Sequence, residues 1–171
     1  KKPELLFLIL MTRILKTGGR CAVTVPDGVL FRSSKAHRAV RQLLMDQNQL
    51  DGVVSLPAGV FRPYTSINTS ILLFTKGGST DHVWFYQVER DGYSLDRKRT
   101  ELPLDQNDLP DLVKRWHDRD PKGGSDRKAK YFFVPAADIR ESNYDLSIKS
   151  YRDFEYKARE LDQPEVILDR L

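Results

Sequence analysis

The alternation in the first 76 residues limits this chain most, because helix-period and strand-period segments take turns there with breakers between them. Pro3 suits the first turn of a helix, where a missing N–H costs nothing. Glu4 follows it, close to the positive end of the helix dipole. Leu5, Leu6, Leu8, Ile9, Met11, Ile14 and Leu15 carry a helical apolar period over residues 4–17. Gly18-Gly19 stops that helix, since glycine takes the left-handed cap conformation cheaply. Arg20 to Pro26, rich in small and β-branched residues, then reads as a buried strand. Ser33 or Ser34 caps a second helix reaching about Gln47. Ala36, Val40, Leu43 and Leu44 share one stripe of it, with Lys35, Arg38 and Arg41 elsewhere. Leu50–Leu56, Thr69–Thr75 and Val83–Val88 are three further strand candidates. This order argues for an α/β fold with a layered sheet. The last two strands stand too close for a helical crossover. They are expected to pair antiparallel across the turn from Gly77 to His82.

Beyond Glu89 the chain turns polar. One short helix is expected from Leu109 or Pro110 to about Arg119, and a short strand at Tyr131–Val134. Residues 138–151 are mixed, and helices are expected at 155–161 and 164–171. Residues 121–130 have the composition of a mobile loop. A length of 171 residues supplies one hydrophobic core and not comfortably two. Residues 1–45 carry a net charge of +7, while the remainder carries −3. Basic character this local suits one face meeting an anion.

Several function classes drop out. One cysteine, Cys21, forms no internal disulfide and anchors no zinc pattern. It lies in an apolar run, as a buried small residue would. The longest apolar run, Leu5 to Met11, is too short to span a membrane. No signal-peptide pattern opens the chain, so the expected compartment is the cytoplasm. The sequence enters an apolar helix at once and without a methionine, as a piece of something longer would. His37, His82 and His117 show no ligand spacing, so no metal site is expected. The sequence contains no GxGxxG turn, no phosphate-cradling GxxxxGK loop, no GxSxG elbow and no Asn/Asp-Pro-Pro-aromatic tetrapeptide. The loop Gly59-Val60-Phe61-Arg62-Pro63 joins two strands at one sheet edge, where open α/β sheets collect ligands. Phe61 there has the chemistry to stack on a flat base, and Arg62 to meet a phosphate. A core-plugging Phe and a solvated Arg are the other reading.

Four stretches, in order, resemble a known family. They are Leu15-Lys16-Thr17-Gly18-Gly19-Arg20 with Val25-Pro26-Asp27-Gly28-Val29-Leu30-Phe31; Val53 to Phe61 with Tyr64-Thr65 and Asn68 to Lys76; Val83-Trp84-Phe85-Tyr86, Asp91-Gly92-Tyr93-Ser94-Leu95-Asp96 and Asn107-Asp108-Leu109-Pro110; and Asn143-Tyr144-Asp145-Leu146-Ser147 with Tyr151. The chain is similar to the modification (M) subunit of type I restriction–modification systems, an adenine-N6 DNA methyltransferase. The resemblance implies the C-terminal half of a Rossmann-like, S-adenosylmethionine-dependent methyltransferase fold. It implies a mixed sheet with an antiparallel edge, followed by a mixed, helical tail. Residues 1–90 would belong to the catalytic domain, and residues 91–171 to a polar extension and the start of a helical region. The family's glycine-rich cofactor loop and its Asn-Pro-Pro-Phe motif lie ahead of this segment. No catalytic, cofactor-binding or metal residue is therefore expected here, and S-adenosylmethionine belongs to the full-length protein.

Carried over by position, Phe61 matches the aromatic that packs on the flipped adenine, a platform that base extrusion requires. Arg62 separates it from Pro63, a departure from the family's Val-Phe-Pro loop. Pro26, Asp27 and Gly28 fall where a loop borders the active site, though a plain strand-to-helix turn would look the same. Arg62, Arg32, Lys35 and Arg38 are candidate DNA-phosphate contacts, or else a solvated face. The implied partners are DNA and the specificity and restriction subunits, with no membrane. The alternative function is a non-catalytic module that docks nucleic acid or another subunit.

Overall fold

The computed structural model describes residues 2–121 and 126–153. Its elements are α1 (Pro3–Ile14), β1 (Arg20–Pro26), α2 (Gly28–Phe31), α3 (Lys35–Asp46), β2 (Asn48–Ser55), β3 (Thr69–Lys76), β4 (His82–Gln87), α4 (Leu109–His117), β5 (Tyr131–Pro135) and α5 (Ala136–Glu141). Single 3₁₀ turns fall at Leu104–Gln106 and Ile148–Ser150. The helices expected at 155–161 and 164–171 lie outside the described residues.

One mixed sheet joins the strands in the order β1-β3-β2-β4-β5. β3 runs antiparallel to both β1 and β2, β4 runs parallel to β2, and β5 is antiparallel to β4. β1, β2 and β4 therefore point the same way and end at one edge. The α/β architecture and the mixed sheet agree with the sequence reading. The pairing expected between β3 and β4 does not form, because β2 lies between them. The chain leaves β3 through Gly77 and Gly78, passes beneath the start of β2, and enters β4 on the far side. Side chains on that route hold it in place. Asn48 Oδ1 accepts from the Gly77 amide at 3.2 Å, Thr80 Oγ1 donates to the Asn48 carbonyl at 3.2 Å, and the Leu50 amide donates to Thr80 Oγ1 at 2.8 Å. Crossing a single strand spans roughly 10 Å, well within the reach of five linking residues. No helix is needed.

β4 is buried on both faces, which explains its unbroken apolar run. Val83 and Phe85 point into the core beneath α1 and α3, together with Leu44, Leu50, Val53 and Leu72. Trp84 and Tyr86 point to the opposite face, where Trp116 of α4 and Tyr131 of β5 cover them. Leu50 and Val53 reach the same core from positions three apart, which strict alternation forbids. The register shifts between Leu50 and Gly52, so Asp51 is the extra residue of a bulge. Its carboxylate accepts from Gln49 Nε2 at 2.7 Å and Thr75 Oγ1 at 2.8 Å.

Three expectations shift in detail. α1 ends at Ile14, a turn short of residue 17, because Leu15 is already extended. β1 is not fully buried: only Val25 is, since no strand covers its outer edge among the described residues. Cys21 on that strand is half-buried, and its burial pushes the thiol pKa up. The sheet also runs across the boundary expected at residue 90. β5 pairs with β4 along its length, and Leu146, Ile148 and Tyr151 share a core with Leu5 and Leu8.

Gly52 lets α4 reach the sheet. A Cβ there would stand 2.9 Å from a ring carbon of Trp116 and 3.1 Å from the Trp84 carbonyl oxygen. Gly52→Ala is expected to lower stability by about 1–3 kcal/mol through overpacking. Urea unfolding followed by the fluorescence of the chain's 2 tryptophans tests this, and an unmoved midpoint would contradict the packing.

Candidate functional site

The common edge where β1, β2 and β4 end is the place where an α/β sheet offers a ligand site. Four segments converge on it: residues 27–32 after β1, residues 56–68 between β2 and β3, residues 87–89 after β4, and the turn at 147–149. Backbone bonds join them. The Asp27 amide donates to the Asn68 carbonyl at 3.0 Å, Leu56 to Thr69 at 3.0 Å, Val88 to Ser55 at 2.9 Å, and Leu146 to Leu30 at 3.0 Å. Two adjoining clefts open there, of about 320 and 340 Å³. Asp27, Asn68, Ser147 and Lys149 line both. The Asp27 carboxylate accepts from Ser70 Oγ at 2.7 Å, which fixes the loop against the start of β3. Beside it the Thr69 hydroxyl is buried with no hydrogen-bond partner among the described residues.

The residues singled out from sequence do not all gather here. Asp27 and Gly28 line the clefts, whereas Pro26 is an exposed strand end paired opposite Thr69. Arg32 lines the second cleft and folds over Gly28, whose Cβ would lie 2.7 Å from the Arg32 Nε. Lys35 points to solvent. Arg38 lines a separate hollow beside Arg41 and Asn143. Phe61 is 40 % exposed on its loop, with Tyr64 and Ile67 more exposed still. It does not plug the core. Arg62 is the half-buried member of that pair, its side chain folded back to about 3.4 Å from where a Gly59 Cβ would lie.

Arg41 is the residue that sequence reasoning misplaced. The helical stripe leaves it aside with Lys35 and Arg38, yet it is buried at 2 % exposure. Its Nε donates to the Tyr144 carbonyl, and one Nη donates to the carbonyls of Val29 and Arg32 at 3.0 Å each. A single guanidinium thus ties the loop behind the clefts to the turn at 143–147, where Asn143 and Tyr144 both adopt positive φ. Burial lowers its pKa, while the nearby Asp145 charge opposes that shift. The signal was helical spacing: position 41 follows His37 by four and precedes Met45 by four, and both are buried. Ser147 and Lys149 were also missed, because nothing local in the sequence links them to β1.

The widest hollow, about 1090 Å³, is an open groove between α1 and α3 lined by Leu5, Leu6, Ile9, Ala39 and Leu43. Lys2, Ser34, Gln42, Asp46 and Gln47 also line it, but apolar side chains supply most of its surface. Among the described residues no group of His, Cys, Asp and Glu is placed to hold a metal, and no helix is long and apolar enough to cross a membrane.

Arg41→Leu strips the donors from three carbonyls at once. It is expected to lower stability by about 3 kcal/mol or more, and Arg38→Leu on the same helix by under about 0.5 kcal/mol. Comparable losses in the two unfolding curves would overturn the burial assignment.

Comparison with known proteins converges on one group. The family model described as N-6 DNA methylase matches residues 1–160. The EcoEI type I restriction enzyme methylase subunit of Escherichia coli is 34% identical over 146 residues, covering 85% of this chain and 29% of that protein. The MpnII methylase subunit of Mycoplasma pneumoniae is 29% identical over 161 residues, covering 94% of this chain and 28% of its own length. A chain from a solved structure describing complex assembly and conformational transition of a type I restriction–modification system superposes with a TM-score of 0.72. It is 29% identical and covers 98% of this chain and 35% of its own. The chain thus spans under a third of the length of these curated relatives.

Proposed function

The chain belongs to the N-6 DNA methylase family, and on that footing we propose that it forms the C-terminal half of the catalytic domain of an adenine-N6 DNA modification subunit. The strand-end edge carries the reading. There the loops at 27–32 and 57–65 leave β1 and β2, which run parallel on either side of β3, with Phe61 exposed on one loop and Arg32 on the other. Phe61 is the platform on which an extruded adenine stacks. Asp27, Gly28 and the turn at 147–149 wall the adjoining clefts. Arg32 and Lys149 supply positive charge for the DNA backbone.

The implied cofactor, S-adenosylmethionine, supplies the methyl group in the full-length protein. The residues described do not fit it. The one glycine that opens a helix after a parallel strand, Gly28, is covered by the Arg32 side chain. The cofactor seat and the group that holds the amino nitrogen therefore come from other parts of the subunit. DNA, a specificity subunit and a restriction subunit are the partners, and the cytoplasm is the compartment.

The second reading, a docking module without catalytic role, rests on the exposed face of α1, where Leu6, Phe7, Leu10 and Ile14 are at least half exposed.

A tritium-transfer assay on duplex DNA separates the two. In the full-length subunit with its partners, Phe61→Ala is expected to lower kcat about 10- to 100-fold. Arg32→Ala is expected to raise KM for DNA and flatten the salt dependence by about one phosphate contact. The 171-residue chain alone is expected to transfer no methyl group. Turnover by that chain, or an unaltered Phe61→Ala enzyme, would refute the assignment.

A further inference from the structure

The segment between β4 and α4 is polar and, apart from the 3₁₀ turn at Leu104–Gln106, forms no helix or strand, yet it is densely cross-bonded. Asp91 is 7 % exposed and pairs with the guanidinium of Arg99. Arg99 also donates to the Ser94 carbonyl at 3.1 Å and lies 5.4 Å over the Tyr93 ring. The Asp96 carboxylate accepts from Ser94 Oγ at 2.9 Å and from the Lys98 and Arg99 amides at 2.9 and 3.1 Å. The Ser94 amide donates to the Thr100 carbonyl at 2.8 Å, and the Thr100 amide returns a bond to Ser94 Oγ at 2.8 Å. The Gly92 amide donates to Gln106 at 3.1 Å, and Leu102 donates to Gly92 at 2.8 Å. A linker needs none of this. Interactions of this density fix a shape.

That shape reaches the loop between β2 and β3. The carbonyl oxygen of Leu95 sits so near Gly59 that a Cβ there would be 2.9 Å from it. Gly59 has φ +95°, which side-chain-bearing residues rarely adopt. It stands two residues before Phe61, and the Arg62 amide donates to its carbonyl at 3.0 Å. The tip of the 91–99 loop therefore presses on the base of the turn that carries Phe61. An ion pair with little exposure is well suited to hold such a backstop, because losing one partner strands the other charge.

We propose that the Asp91–Arg99 pair is a positioning device: it holds the Leu95 carbonyl against Gly59 and so sets the place of Phe61 under the extruded base. Asp91, Arg99 and Gly59 act through Phe61 and touch no reacting atom. The proposal rests on the reading of Phe61 as the base platform.

A double-mutant cycle in the full-length subunit, assembled with its partners on duplex DNA, tests both layers. Asp91→Asn is expected to lower kcat about 10-fold when Phe61 is present and less than about 2-fold in a Phe61→Ala background, with KM for S-adenosylmethionine unchanged. Arg99→Lys, which keeps the charge but loses the fork geometry, is expected to show a smaller loss with the same dependence on Phe61. With 2-aminopurine at the target position, Asp91→Asn is expected to reduce the fluorescence rise on binding. Equal losses from Asp91→Asn in both backgrounds would overturn the proposal and leave the Phe61 reading standing. No effect of Phe61→Ala on turnover or 2-aminopurine signal would overturn the reading itself.

Discussion

One buried guanidinium holds the functional edge together. Among the described residues Arg41 has no carboxylate within ion-pairing distance, and instead gives its hydrogens to three backbone carbonyls on two separate segments. A buried charge is tolerable only when its donors are satisfied. The loop after β1 and the turn at 143–147 must therefore keep the conformations that present Val29, Arg32 and Tyr144. A second layer braces the same joint. Asp46 accepts from the Tyr144 hydroxyl at 2.8 Å and from Arg140 Nε at 3.0 Å, and the Tyr151 hydroxyl donates to the Asp145 carbonyl at 2.6 Å. Desolvation pushes the Tyr151 pKa up to about 12, so this hydroxyl remains a donor at every physiological pH. The clefts at the strand ends exist because this joint brings residues 147–149 over β1.

Sheet order sets the rest. Placing β3 between β1 and β2 makes β1, β2 and β4 parallel, and three loops then leave the sheet at one edge. With β2 seated between β3 and β4, its exit at Leu56 to Ala58 enters one cleft with Asn68 and Gln87. The Asn48–Thr80 bonds that guide the chain beneath β2 thus act on the site from the opposite end of the sheet.

The elements were largely legible in the sequence, because each has a strong local cause. Pro3 starts α1, Ser34 caps α3, and the breakers at 57–63 separate β2 from β3. Pairing was not legible. Two strands separated by five residues suggest a hairpin, and only the side chains of Asn48 and Thr80, distant in sequence from the turn, redirect the chain. The bulge at Asp51 was hidden for a similar reason, since a bulge shows only against its partner strand. At the site, Asp27, Gly28 and Arg32 were legible as the exit from β1. Arg41 was not, because an arginine in a basic stretch looks solvated until its helical phase is compared with Val40 and Leu44. Ser147 and Lys149 reach the site over more than a hundred residues, and no periodicity carries that information.

On the proposed function, the target base arrives at the strand-end edge and stacks on the loop carrying Phe61. Photocrosslinking tests it most directly. The full-length subunit with its partners would be irradiated on duplex DNA bearing a photoreactive base at the target position, and the adduct mapped by mass spectrometry. An adduct within residues 57–65 is expected. An adduct on the exposed face of α1 or in the groove between α1 and α3 would contradict it.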